Sequence, residues 1–256
     1  MLGLRRLEGL RNIYIISVEE PEEGIWVPES AFPFSIDDVK AIIKSTNGRE
    51  GWYLQQLLKL YVFRTIDCAD HVLLFDSDCV ICRPVTFIDD KILLDWSEEI
   101  HVPYFSHMLR VSGIEQLDKG KSGIADHMLV RRDIMEGLLS KIEGHTGKEA
   151  WRALLEEVEP AYYNYPSSGM SEYELYFNYA LTYYPNEHRL RRLERVFGLS
   201  FGALKASQTS DIISFHAWAI DFNKKRIELS RTGEEEGDET RPVSQALTNP
   251  AQNQSA

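Results

Sequence analysis

Two carboxylates one residue apart, Asp76 and Asp78, follow directly on the apolar run Val72-Leu73-Leu74-Phe75. If the strand continues through them, alternate side chains share a face and the pair aims at one place with Cα atoms ~6.5 Å apart. Anions converging at the mouth of an apolar sheet repel each other. A hard divalent cation, Mn²⁺ or Mg²⁺, relieves that repulsion, and carboxylate oxygens suit it as ligands. The plainer reading is a polar strand end turning into a loop, because Asp-x-Asp recurs by chance in an acidic chain. Its place straight behind four apolar residues favours the chemical reading.

Other polar residues stand at positions where chemistry would be possible. Ser171-Glu172-Tyr173-Glu174 has the form of a helix start, with Ser171 as N-cap and two acids in the first turn, where the helix dipole favours negative charge. Acids there are ordinarily a helix-start device. Asp126 and His127 form a polar pair at the beginning of a strand over 124–130. His216 is the single histidine of an apolar segment over 212–219, and such a residue is usually a hydrogen-bonded core histidine. Lys119-Gly120-Lys121-Ser122-Gly123 is too short and wrongly spaced for a phosphate-binding P-loop. Cys68, Cys79 and Cys82 are odd in number, and the one CxxC lies in a strand-like run without a second pair, so all three read as reduced core thiols.

The elements that must position these residues follow from periodicity. A buried strand is expected over 12–18, then a loop over 19–33 rich in Glu and Pro. A capping box at Ser35-Ile36-Asp37-Asp38 opens a short helix whose apolar face is Ile36, Val39, Ile42 and Ile43 and which stops at Asn47-Gly48. A longer helix over 51–66 carries the core stripe Leu54, Leu57, Leu58 and Tyr61. Trp52, Gln55, Gln56 and Lys59 recur on a neighbouring face, which alone reads as solvated. This helix feeds the strand that ends at the aspartates. Further along, a turn at Asp89-Asp90, a short strand over 101–105, helices over 133–142 and 148–157, an aromatic glycine-ended loop over 162–169 and a helix from Ser171 through Tyr184 are expected.

At 256 residues and 43% hydrophobic content the chain can bury one full α/β core. The expected organisation is one domain over 1–228 and an acidic, polar, disordered tail over 229–256. A net charge of −12, from 28 Lys and Arg against 40 Asp and Glu, argues against a nucleic-acid groove or an anionic membrane surface. No apolar run reaches the roughly 18 residues that span a bilayer, and 1–11 does not read as a secretory signal. The expectation is therefore a cytoplasmic protein without a membrane span.

Five stretches together resemble the GT-A class of nucleotide-sugar-dependent glycosyltransferases, and more specifically a group of largely uncharacterised bacterial and algal-virus proteins with that fold. They are Gly51-Trp52-Tyr53-Leu54-Gln55-Gln56-Leu57-Leu58-Lys59-Leu60, Leu74-Phe75-Asp76-Ser77-Asp78, Gly123-Ile124-Ala125-Asp126-His127-Met128, Ser171-Glu172-Tyr173-Glu174-Leu175-Tyr176-Phe177-Asn178 and Ser214-Phe215-His216-Ala217-Trp218. The resemblance runs from about Arg11 to Trp218. It implies an α/β fold with a Rossmann-like mixed sheet and helices on both faces, and a metal held by Asp78, Asp76 and His216. Trp52, Gln55, Gln56, Lys59, Asp76 and His127 would bind the donor, a nucleotide-sugar with UDP foremost, and the acceptor would be a glycan or other hydroxyl compound. In an inverting transfer Glu172 would be the base, with Glu174 and Asp126 as alternatives. Such a fold normally opens with a strand and helix ahead of the one at 12–18, so the first strand is expected to be missing here.

Two other readings have a basis in the residues. Phe75-Asp76-Ser77-Asp78-Cys79-Val80 matches the nucleophile motif of haloacid-dehalogenase-type phosphatases, with Asp76 as nucleophile and Asp78 as acid/base, but no later Gly-Asp-x-x-x-Asp pair completes it. The short start alternatively suits a nucleotide-sugar-binding domain without turnover.

Overall fold

The computed structural model describes residues 7, 9–197 and 210–215. The chain divides into two compact units, one of Leu10–Leu74 with Phe87–Arg191, the other of Met1–Gly9, Phe75–Thr86 and Arg192–Ala256.

The larger unit begins with two parallel strands, β1 (Tyr14–Ser17) and β2 (Ile25–Pro28), Tyr14 opposite Ile25. The loop expected over 19–33 therefore contains a strand. The chain turns into it at Gly24, whose φ of +96° is left-handed and where a Cβ would stand 3.0 Å from the Ile15 side chain. The capping box forms as read. Asp38 N–H donates to Ser35 Oγ at 3.3 Å and Ser35 N–H donates to Asp38 Oδ2 at 2.8 Å, starting α1 (Ile36–Ile42). The helix expected over 51–66 is divided into α2 (Glu50–Leu60) and α3 (Val62–Thr65) at Tyr61, whose hydroxyl accepts the Trp151 backbone N–H at 2.9 Å. Leu54, Leu57, Leu58 and Tyr61 are all buried, as the stripe requires.

After β3 (His71–Phe75) come β4 (Cys79–Ile81), which belongs to the smaller unit, and β5 (Ile92–Asp95). The short strand expected over 101–105 is instead the first turn of a helix, α4 (Val102–Ser112). Pro103 is compatible with a first turn, and Tyr104, His107, Met108 and Val111 repeat at helical spacing on the buried side. A five-residue apolar window cannot separate a period of 2 from one of 3.6. β6 (His127–Arg131) pairs with β3 and leads into α5 (Arg132–Thr146), α6 (Ala150–Glu156) and α7 (Glu172–Tyr183). β7 (His188–Arg191) then lies parallel to β5, Ile92 opposite His188. The core includes Val39, Ile43, Leu57, Met108, Ile134, Met135, Leu138, Leu139, Leu154 and Leu155, all wholly buried. Each contributes about 1.5–3 kcal/mol of apolar burial.

Gly123 shows how closely the loop before β6 lies on α7. A Cβ there would stand 2.5 Å from Phe177 Cβ and 3.1 Å from the Tyr173 carbonyl oxygen. Gly123→Ala is therefore expected to cost about 1–3 kcal/mol through forced displacement of the loop. Guanidinium unfolding checks this, and an unchanged midpoint would show that the loop stands further from the helix.

In the smaller unit β4 is antiparallel to β9 (Ile212–Ser214), with Cys79 opposite Ser214, and β8 (Arg195–Phe197) is parallel to β9. Arg83 Nη2 meets Asp211 Oδ1 at 2.6 Å. The fold is thus mixed α/β, but among the described residues hydrogen bonding joins the strands into four small sheets and not one Rossmann-like sheet. The tail over 229–256 lies outside the described residues, and no described helix is long and apolar enough to cross a membrane.

Candidate functional site

The larger unit concentrates buried polar groups where α2, α4 and α7 meet. Ser171 caps α7 by accepting the Glu174 N–H at 3.2 Å, which fixes Glu172 and Glu174 in the first turn as expected. Glu172, 5% exposed, pairs with Lys59 Nζ at 2.7 Å, and its backbone N–H donates to Gln56 Oε1 at 3.2 Å. Two residues of α2 thus hold the first residue of α7 by side chain and by backbone. The Lys59 ammonium also lies over the Tyr173 ring, 4.5 Å from its centre. An anion at Glu172 meets both a cation and the positive end of a helix dipole.

Glu174 has a different environment. It is wholly buried, hydrogen-bonded with the Ser122 hydroxyl, and accepts Asn178 Nδ2 at 3.0 Å. Burial raises its pKa to about 7 against the opposing pulls of Ser122, the Gly123 backbone and Asn178. Such a sealed carboxyl belongs to the packing of the 122–124 loop on α7. Asp126 is also buried.

His127 belongs to a separate cluster. Its Nε2 hydrogen-bonds Asp95 Oδ2 at 2.8 Å, and the same carboxylate accepts Arg191 Nε on Oδ1 and Arg191 Nη2 on Oδ2, each at 3.0 Å. Burial alone would raise the Asp95 pKa, but the His127 and Arg191 bonds outweigh it and hold the carboxyl below its ordinary range. The expectation that His127 faces a donor thus meets a residue already engaged at β5. Asp95 and Arg191 were missed because their strands pair through partners about a hundred residues apart in sequence.

The neighbouring face of α2 is only partly the one expected. Gln55 is exposed, whereas Gln56 is 2% exposed, because consecutive helical residues are rotated by about 100°. The polar stripe that the structure brings together is Arg49, Trp52, Gln56 and Lys59, starting at the helix N-cap. The Arg49 guanidinium lies over Trp52, 4.1 Å from the ring centre. Beside it Tyr53, wholly buried, donates to the Tyr162 carbonyl at 2.6 Å and accepts the Gly169 N–H at 3.2 Å, so the aromatic loop is anchored on α2. His101 Nε2 and the Tyr104 hydroxyl close the cluster on Ser168 at 2.8 and 2.7 Å. Arg49 was recognisable by its place three residues before Trp52.

Asp76 and Asp78 lie in the smaller unit. β3 stops at Phe75, and the Cys79 N–H donates to the Asp76 carbonyl at 3.2 Å, closing a four-residue turn over 76–79. The two aspartates therefore do not alternate on an extended strand but sit on one turn. The Asp78 carbonyl accepts the Phe215 N–H at 2.8 Å, which docks the end of β9 against this turn. His216, the next residue in sequence, lies outside the described residues. Among the described residues no three His, Cys, Asp or Glu side chains gather as a metal-holding group. The three cysteines form no disulfide, and buried Cys79 donates to Ser214 Oγ at 3.4 Å.

No curated protein matches the chain. Mouse xyloside xylosyltransferase 1, solved in its apo form, superposes with a TM-score of 0.39 at 9% identity, over 75% of this chain and 75% of that one, a likeness too loose to carry an argument. Residues 13–209 match the family described as "Family of unknown function (DUF6492)", and the chain belongs to that family.

Proposed function

We propose that the chain is a glycosyltransferase of GT-A type, transferring a sugar from a nucleotide-sugar donor, a UDP-sugar foremost, to a hydroxyl of a glycan or similar acceptor with the help of Mn²⁺ or Mg²⁺. The observation that carries the reading is Glu172, a carboxylate fixed at the first turn of α7 by Lys59 and Gln56. It joins the ordered set of sequence motifs in which the same glutamate stands at the acceptor's helix.

Asp76, Asp78 and His216 would hold the cation. The donor set fits: two carboxylates on one turn are hard oxygen ligands, and the residue preceding His216 is hydrogen-bonded to that turn. When bound, the cation supplies Lewis-acid stabilisation to a departing nucleoside diphosphate. The protein's own part in an inverting transfer is proton movement and orientation. Glu172 takes the proton of the acceptor hydroxyl as its oxygen attacks the anomeric carbon. The Gln56 amide oxygen, bonded to the Glu172 backbone, holds the first turn of α7 in register, and Lys59 orients the carboxylate.

Thermal shifts with UDP, GDP, dTDP and CMP, each with and without Mn²⁺, test the reading on the wild type and on Asp78→Asn. One nucleotide is expected to raise Tm by about 5–10 °C at 100 times its Kd, only with metal, and Asp78→Asn to abolish the effect. Absence of any metal-dependent shift, or a shift indifferent to the substitution, would sink the proposal.

A further inference from the structure

Arg49 stands apart from the other partly buried arginines of the larger unit. Arg110, Arg131, Arg132 and Arg191 each face at least one carboxylate, whereas Arg49 makes no ion pair with any described residue. Its guanidinium is instead flanked by two rings, Trp52 at 4.1 Å and Tyr165 at 5.7 Å from their centres. Its Nε is buried and has no hydrogen-bond partner among the described residues. Burial works against the charge, and only the tyrosines around it push back. In a chain of net charge −12, a half-buried cation left without an acid is a costly placement unless something else completes it.

The surroundings hold that cation in a fixed pose. Asn47 Nδ2 donates to the Tyr165 carbonyl at 2.9 Å, and the Tyr165 N–H donates back to Asn47 Oδ1 at 3.0 Å. Asn164 Oδ1 accepts the Thr46 N–H at 2.7 Å, and the Arg49 N–H donates to Ser45 Oγ at 3.0 Å. The loops over 45–49 and 163–166 are thus laced together around the guanidinium, so little ordering is left for binding to supply. About two turns along the same face, the Gln56 Nε2 is buried and also lacks a partner among the described residues. A planar fork stacked between rings, with an unsatisfied N–H, is the arrangement that receives an oxyanion in two parallel hydrogen bonds.

We propose that Arg49, flanked by Trp52 and Tyr165, is the anchor of a subsite for an anionic group, a carboxylate or a phosphate, carried on the substrate. The binding stands on the Arg49 geometry alone; that the anion belongs to the sugar acceptor rests on the transferase reading, because Arg49 and Glu172 belong to one cluster on α2 and α7. The acceptor class would then be a sugar acid or a phosphorylated sugar, with the rings of Trp52 and Tyr165 available to an apolar sugar face.

Calorimetry on the full chain, without nucleotide or metal, tests this with glucuronate, inorganic phosphate and glucose as probes. Saturable binding of glucuronate or of phosphate, but not of glucose, is expected, weakening as NaCl is raised. Whichever anion binds identifies the source of the charge. Arg49→Met, which keeps a stem between the rings, is expected to weaken binding by about 10- to 100-fold. If that variant does not fold, phenylglyoxal labelling of the wild type mapped by mass spectrometry replaces it, with Arg49 protected by the bound anion. No anion binding, equal binding of glucose, undiminished binding by Arg49→Met, or unprotected Arg49 would each overturn the inference. A metal-dependent nucleotide shift would stand regardless, so the two readings fail separately.

Discussion

Glu172→Gln is expected to lower kcat for glycosyl transfer by about 10²- to 10⁴-fold while leaving the donor KM within a few-fold. Glutamine keeps the shape of the side chain and still accepts a hydrogen bond from Lys59, so the α2–α7 contact survives. It cannot take a proton from an acceptor hydroxyl, so only the chemical step suffers. Some stability is lost as well. Lys59 and Glu172 are 12% and 6% exposed in their side chains, and exchanging the ion pair for a hydrogen bond from the ammonium to a neutral amide costs about 1–3 kcal/mol. Lys59→Met in the Glu172→Gln background should recover part of that stability without restoring turnover, which separates the two roles. Steady-state kinetics with the donor identified by thermal shift, alongside Glu174→Gln as the comparison, make the measurement. Turnover at the wild-type rate in Glu172→Gln would remove this residue as the base.

What the sequence discloses about this molecule is what neighbouring residues decide among themselves. The capping box at Ser35, the Ser171 cap of α7 and the Leu54, Leu57, Leu58 and Tyr61 stripe are set by contacts within a turn or two, and all three appear as read. β2, β5, β7 and β8 are four residues or fewer, and their existence depends on partners elsewhere in the chain. The Tyr61 hydroxyl, at the break between α2 and α3, bonds Trp151, ninety residues away, a contact that no helical periodicity reports. The candidate site divides along the same line. That Glu172 begins a helix is local; that Lys59 holds it is a contact across 113 residues. The Asp76 and Asp78 geometry was read from strand alternation, but a short polar Asp-Ser-Asp sequence bonds readily to its own backbone, and the chain turned there.

The second large effect is on stability and its dependence on pH. Glu174, wholly buried, titrates near 7 in the folded protein, whereas its carboxyl has an ordinary value of 4.5. Between those values the folded state keeps a proton that the unfolded state has released. Stability contributed by this group therefore falls as pH rises from about 4.5 to about 7 and is level above that. The difference between the two values corresponds to about 3 kcal/mol, since one unit is about 1.4 kcal/mol. Glu174→Gln is neutral throughout and mimics the protonated acid. Its amide nitrogen can donate to the Ser122 hydroxyl and its oxygen can accept Asn178 Nδ2, while Asn178 Oδ1 keeps the Leu117 N–H at 3.0 Å. Denaturant unfolding of both proteins at intervals from pH 4.5 to 8 isolates the group, because every other titration is shared and cancels in the difference. The variant should gain about 3 kcal/mol on the wild type across that range, most of it between pH 5 and 7. Parallel curves would mean that Glu174 is already ionised in the fold. A gain of the expected size would identify Glu174 as the neutral pin that seats the 122–124 loop on α7, and would leave Glu172 as the first-turn carboxylate suited to act as base.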